Sequence, residues 1–414
     1  MSGDYLPIES SDIGKVQSKD EEKNHSKFWI ELFVFLLLLF IGSFIVAGFL
    51  FQQPNQPLEN AVFKDLRVPT SGDSFRPPIG GRWSCSRRVS VPSTTSPTDA
   101  NQVRPADIKY IAAMGDSYMT GYLSFSAKTT EAVDENRNVV GNSFVMGGDG
   151  EFETHLTLAN ILRYLNPALI GYSTGIGLDE SQTNLNVAAP GMWVDDLQRQ
   201  ARELIRRLKK YSAKSLENDW KLIHIFAGSR DISGYCMGQG GTNKHEYKKN
   251  VTEAIEILQN ALPKTIISII NVANFDFLWN AENTIHTKGE GSETEKIGFK
   301  MAGPCQIAES LTQRRIEEYR EANIEIVSEM QLKSRKDHAV IVQHIFDDLW
   351  EPLRKPNGSF NTEFYAADSF HLSNYGNSLV AKQLWNQLIS PDYQKITINA
   401  MMTDEGEELL CPEV

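Results

Sequence analysis

Hydrophobic positions fall along this chain in three regimes. Residues 28–51, FWIELFVFLLLLFIGSFIVAGFLF, are apolar except for Glu31 and Ser43 and are long enough to cross a bilayer core of about 30 Å. The run exceeds the ~7–15-residue apolar region of a cleaved signal peptide and follows a long polar segment, so it reads as a retained anchor. From 52 to 107 apolar periodicity fades. Pro54, Pro57, Pro69, Pro77, Pro78, Pro92, Pro97 and Pro105, with Ser/Thr clusters such as SVPSTTSPTD, make this stretch a predicted stalk. From Ile108 onward, short apolar runs alternate with stretches of helical period. KYIAAM, KLIHIFA, KTIISIINV and HAVIVQHIF are brief, branched and bounded by turn residues, as buried strands are. Between them, Leu197, Ala201, Leu204, Ile205 and Leu208 share one helical face, as do Val251, Ala254, Ile255, Leu258 and Leu262. ESLTQRRIEEYREANIEIV adds a third, more polar helix. This alternation predicts an α/β fold, a three-layer α/β/α sandwich with a central parallel sheet over residues 108–395, preceded by one transmembrane helix. Residues 396–414 read as an acidic tail, disordered unless Cys411 pins it.

Charge sets the orientation of the anchor. Lys15, Lys19, Lys23 and Lys27 precede it and only Lys64 and Arg67 closely follow, which predicts a cytoplasmic tail over residues 1–27. The protein is then a single-pass type II membrane protein with its large domain extracellular or lumenal. All four cysteines, Cys85, Cys236, Cys305 and Cys411, lie on that oxidising side. They allow two disulfides in three pairings, with Cys236–Cys305 preferred, or four buried free thiols. The sequons at Asn250 and Asn357 are candidate glycosylation sites. A net charge of -12 gives no electrostatic footprint for nucleic acid.

Candidate chemistry collects where an open parallel sheet binds ligands, at the carboxyl ends of its strands. Ser117, in AAMGDSYMTGY, follows the first strand and is either a nucleophile or a helix cap. The G-x-S-x-G elbow is absent, since Met119 stands at its second glycine. After the last strand, Asp368 and His371 stand three residues apart, a spacing that lets a carboxylate hold an imidazole toward a serine. His155, His224, His245, His286, His338 and His344 have no metal-ligand spacing, so no metal is assigned. Of these, His224 and His344 read as hydrogen-bonded core histidines. The RRLKK helix end reads as a solvated face.

Four stretches in order, GDSYMTGY, NVAAPGMWVDDL, FAGSRDISGYC and AADSFHLSNYG, resemble the four blocks of the GDSL/SGNH esterases. The likeness is nearest to their membrane-associated phospholipase B branch. It implies an SGNH-like fold in which Ser117 is the acyl-accepting nucleophile, His371 its base and then acid, and Asp368 the group that orients the imidazole. It also implies an oxyanion hole from the N–H of Ser117, the N–H of Gly191 and a third-block asparagine. Here the family's Gly-x-Asn-Asp reads Gly228-Ser229-Arg230-Asp231, so Arg230 occupies the asparagine's place. The substrates implied are phospholipids or lysophospholipids, with no cofactor. The alternative is a catalytically weakened or inactive relative that binds lipid or a protein partner. Unlike the branch's usual pattern of repeated units and a carboxyl-terminal span, this chain has one unit and an amino-terminal anchor.

Overall fold

The computed structural model describes residues 76–125, 138–236, 238, 240–274, 309–333, 335–350, 353–355, 361–366, 370–390, 392, 394, 396–399 and 409–412. The expected cytoplasmic tail, anchor and first part of the stalk lie outside these residues, as do Asp368, Asn357 and Cys305. Among the described residues no helix is long and apolar enough to cross a membrane.

The four predicted strands are all present: β1 (Ile108–Gly115), β2 (Trp220–Phe226), β3 (Thr265–Ile270) and β4 (His338–Gln343). They form one parallel sheet in the order β1-β2-β3-β4. Ala112, Ile223, Ile267 and Val340 lie in one row across it. With both faces covered, such strands read as continuous apolar runs and not as alternating ones. Beyond β1 the edge is not bare. Ile111 N donates to Ile170 O at 2.9 Å, and Ala113 exchanges bonds with Leu185 O and Val187 N.

Six helices matter for the site: α1 (Leu158–Leu165), α2 (Leu197–Leu208), α3 (Ser229–Cys236), α4 (Lys244–Ala261), α5 (Glu309–Leu332) and α6 (Asn374–Ile389). Helix α4 begins in a capping box, Asn243 Oδ1 accepting from Glu246 N and Glu246 Oε2 from Asn243 N. Parallel neighbours require crossovers, and right-handed ones put successive helices on the same face. Accordingly α2 packs on α4 and α4 on α5. The opposite face, with Leu222, Ile266 and Ile341, looks onto α1 and α6. The result is the expected helix-sheet-helix layering.

Two boundaries move. Residues 76–107 are not a free stalk, because their backbone is satisfied by the domain. Gly81 N donates to Phe152 O, Ala100 N to Lys336 O, and Pro97 O accepts from the Trp220 indole. Trp83 packs edge-on against Trp385 and Phe152. The described part of the acidic tail is also fastened: Ile398 is buried and bonded to Ile345 O, and Leu410 N donates to Asn386. Cys85 pairs with Cys411, a bridge outside the preferred pairing that ties the expected stalk to the tail. Cys236 is disulfide-bonded too, while its expected partner Cys305 lies outside the described residues.

Candidate active site

β1 ends at Gly115, whose φ of 131° and 1.8 Å approach of any Cβ to Phe226 O admit only glycine. Asp116 follows, buried, and caps the 3-10 turn Ser117–Thr120 by accepting from Tyr118 N at 3.1 Å. Its second oxygen accepts from Ser229 N at 3.2 Å, which draws the third block against the first. The capping role thus belongs to Asp116, and the Ser117 hydroxyl is left for another partner. That partner is His371, whose Nε2 lies 2.7 Å from Ser117 Oγ. With the ring proton on Nδ1, the serine O–H donates to Nε2, the orientation a general base needs.

The histidine is held by the turn it serves. Tyr118 OH donates to Phe370 O at 2.6 Å, and Ala366 N donates to His371 O at 2.7 Å. The rings of Tyr118 and Tyr122 lie 5.2 and 4.7 Å from the imidazole. Asp368, expected to orient Nδ1, lies outside the described residues.

Positioning groups invisible in the sequence surround the turn. The side-chain amide of Gln200 on α2 clamps the last residue of β1, accepting from Gly115 N at 2.6 Å and donating to Gly115 O at 2.9 Å. Asn186 of the second block donates to Met119 O at 2.8 Å, and Thr120 Oγ1 donates to Ser117 O at 2.9 Å. Arg207, expected to be solvated, instead folds back onto Asn184 O, Asn186 O and Thr183 Oγ1 and fixes the second block. Its partner Glu203 bridges Arg206 as well.

Asp231 of the third block is buried and accepts from Val194 N at 3.0 Å and from the Thr242 hydroxyl. Arg230 does not turn toward it. Its guanidinium lies 4.9 Å over the Trp193 ring and has no hydrogen bond or ion pair among the described residues. Gly191 is exposed at φ 73° with open space around it. Burial pushes Asp116 up to about 6, opposed by the N–H groups of Tyr118 and Ser229 and by the nearby His371. Burial likewise raises Asp231 to about 6 against its bonds from Thr242 and Val194.

A second polar cluster lies at the carboxyl ends of β3 and β4. Asp347 accepts from Asn271 Nδ2 at 2.9 Å and pairs with His344 Nδ1 at 2.6 Å, and Asn323 donates to Asn271. Arg320, buried, donates to Val272 O and Phe346 O. His344 is thus hydrogen-bonded as expected. His224 is not: it is fully buried, and neither ring nitrogen has a partner among the described residues. Burial drives it down to about 3, so it is neutral.

The model of the GDSL-like lipase/acylhydrolase family matches residues 111–384, which takes in the Ser117 turn and His371. The chain belongs to this family. Human "Phospholipase B1, membrane-associated" is 33% identical over 369 residues, 86% of this chain and 24% of that protein. Its rat counterpart is 32% identical over 340 residues, 80% of this chain and 22% of that protein. The GDSL chain thus spans about a quarter of the length of these relatives. A solved carbohydrate esterase family 3 structure from Talaromyces cellulolyticus covers 68% of this chain and 97% of its own, at a TM-score of 0.34 and 11% identity, and adds nothing to the assignment.

Proposed function

We propose that the chain is a serine ester hydrolase that cleaves carboxylic esters of lipids, phospholipids or lysophospholipids being the substrate class. The observation that carries this reading is the 2.7 Å contact between Ser117 Oγ and His371 Nε2 above the carboxyl end of β1. Ser117 Oγ attacks the ester carbonyl as its proton passes to His371. The tetrahedral adduct collapses, and His371 protonates the departing alcohol. Water, activated by the same imidazole, then releases the fatty acid and restores Ser117. Asp368 orients the imidazole. The N–H groups of Ser117 and Gly191, with Arg230, stabilise the oxyanion. No cofactor or metal takes part. The lipid class is supported by relatives named as phospholipase B1, membrane-associated. The anchor at residues 28–51 holds the enzyme at its substrate, type II in orientation, with the Asn250 and Asn357 sequons on the outer side.

A second reading rests on Arg230. Its guanidinium lies over Trp193 where the family has an asparagine amide, and loss of one oxyanion donor costs on the order of 10²–10³ in turnover. The chain is then a weakened or inactive relative that binds lipid or a protein partner. The test is ester release from a short-chain nitrophenyl ester and from lysophosphatidylcholine by the full chain, Ser117→Ala and Arg230→Asn. Turnover abolished in Ser117→Ala supports the hydrolase. An inert parent beside an active Arg230→Asn supports the second reading.

A further inference from the structure

One described cavity lies away from the Ser117 site. It lies at the opposite end of the sheet, about 490 Å³ in volume, between the start of β1, helices α1 and α6, and the segment 88–105. Ile108, which lines it, is the first residue of the strand whose last is Gly115, so seven steps of ~3.3 Å place it about 23 Å from the nucleophile's end. Its inner wall is apolar: Leu162 from α1, Leu222, Ile266 and Ile341 from the sheet, and Trp385 and Leu388 from α6. Its outer rim carries Arg88 and Arg104, neither of which has an ion-pair partner among the described residues.

We infer that this cavity is a second lipid site, which takes one acyl chain against the sheet and holds an anionic head group with Arg88 and Arg104. The apolar wall adds nothing to the binding of a soluble anion, and a neutral lipid leaves both guanidinium groups without a counter-charge. Size selects a single chain. Water occupies about 30 Å³ and a methylene group is of similar size, so the cavity has room for roughly 16 chain groups. The rim is covalently set, because Arg88 lies three residues from Cys85 and the lining residue Pro412 adjoins Cys411, and those cysteines are bridged. A carboxylate and a phosphate monoester both suit an arginine fork, so a long-chain fatty acid and a lysophosphatidate share the required chemistry. The site does not depend on Ser117 and stands apart from the ester-hydrolase reading.

The test is photolabelling of the full chain, carrying Ser117→Ala, with a 16-carbon fatty acid bearing a diazirine near its methyl end, followed by peptide mapping. Label is expected in α1 and α6, suppressed at least tenfold by excess palmitate or lysophosphatidate but not by neutral monopalmitoylglycerol. Whichever anionic competitor acts at the lower concentration identifies the head group. Arg88→Ala with Arg104→Ala, both at the rim, is expected to lose most of the label while keeping the parent's melting temperature. Label confined to peptides around Ser117 overturns the inference, as does equal competition by the neutral lipid or a double variant that labels like the parent. If the chain with Ser117 intact releases no ester while α1 and α6 of the Ser117→Ala chain are labelled, the hydrolase reading is refuted and this site stands.

Discussion

Replacing Gln200 by leucine tests whether the clamp on the end of β1 is what sets the nucleophile. Both bonds of the Gln200 amide go to Gly115, two residues before Ser117, and both are buried. Leucine fills much of the same volume but leaves Gly115 N–H without a partner, at about 1–3 kcal/mol. Gly115 O keeps a bond from Ala189 N, so the second loss is nearer about 1 kcal/mol. The added apolar contact returns about 1 kcal/mol, for a net cost of about 1–3 kcal/mol. With an unfolding entropy of about 2.1 cal/mol/K per residue over roughly 300 residues, the melting temperature falls by about 2–5 °C. A shift of the turn by part of an ångström lowers ester hydrolysis about tenfold. The assay is a thermal melt followed by near-UV circular dichroism, paired with nitrophenyl ester kinetics. Gln198→Leu on the same helix is the control, its bonds being to partly exposed Asn250 and Glu253. If Gln200→Leu melts and turns over like Gln198→Leu, the clamp does not position Ser117.

Three further outcomes are expected. Gly115→Ala forces a Cβ into Phe226 O and should cost more than about 3 kcal/mol, seen as loss of folded protein, whereas Gly191→Ala meets open space and costs only about 1–2 kcal/mol for its φ of 73°. Cys411→Ser opens a bridge between residues 326 apart and should lower stability by about 2–5 kcal/mol, measured by non-reducing melts; an unchanged melt rules out a structural role for the bridge. His224→Leu removes a buried imidazole with no partner among the described residues. The folded-state value of about 3 lies below the ordinary 6.5, so this histidine's contribution is complete at neutral pH and is lost as pH falls from about 6.5 to 3. The variant should therefore gain on the parent across that window, by as much as about 4 kcal/mol at its acid end; parallel melting curves from pH 7 to 4 refute this. Asp116 and Asp231 act in the opposite sense, stabilising below about 4 and ceasing to do so as pH rises through about 6, so only the difference between variant and parent isolates His224.

The parts legible in the sequence are those where burial is one-sided or complete along a short run. All four strands stand out because a doubly covered parallel strand is apolar at nearly every position. Helices α2 and α4 are legible because each buries one stripe. Helix α6 has no stripe to read: it is buried on nearly all sides, and several of its polar residues are satisfied from outside the helix. Asn377 accepts from Phe144 N, Gln387 Oε1 accepts from His344 N, and Asn386 accepts from Leu410 N. Residues 76–107 read as a stalk for a related reason. Prolines and serines remove helical period, and nothing local reveals that the backbone finds its partners at Phe152 and Lys336.

What the sequence by itself determined is the order and type of the elements, the family blocks, and the candidacy of Ser117 with His371, because periodicity, turn chemistry and motif order are properties of neighbouring positions. Only the tertiary structure decided that Asp116 and not Ser117 is the cap, that Ser117 and His371, 254 positions apart, meet at 2.7 Å, and that Arg230 lies on Trp193. It also decided the pairing of Cys85 with Cys411. Each of these is a contact between distant segments, set by how helices pack on a sheet, and a linear pattern carries no distance of that kind.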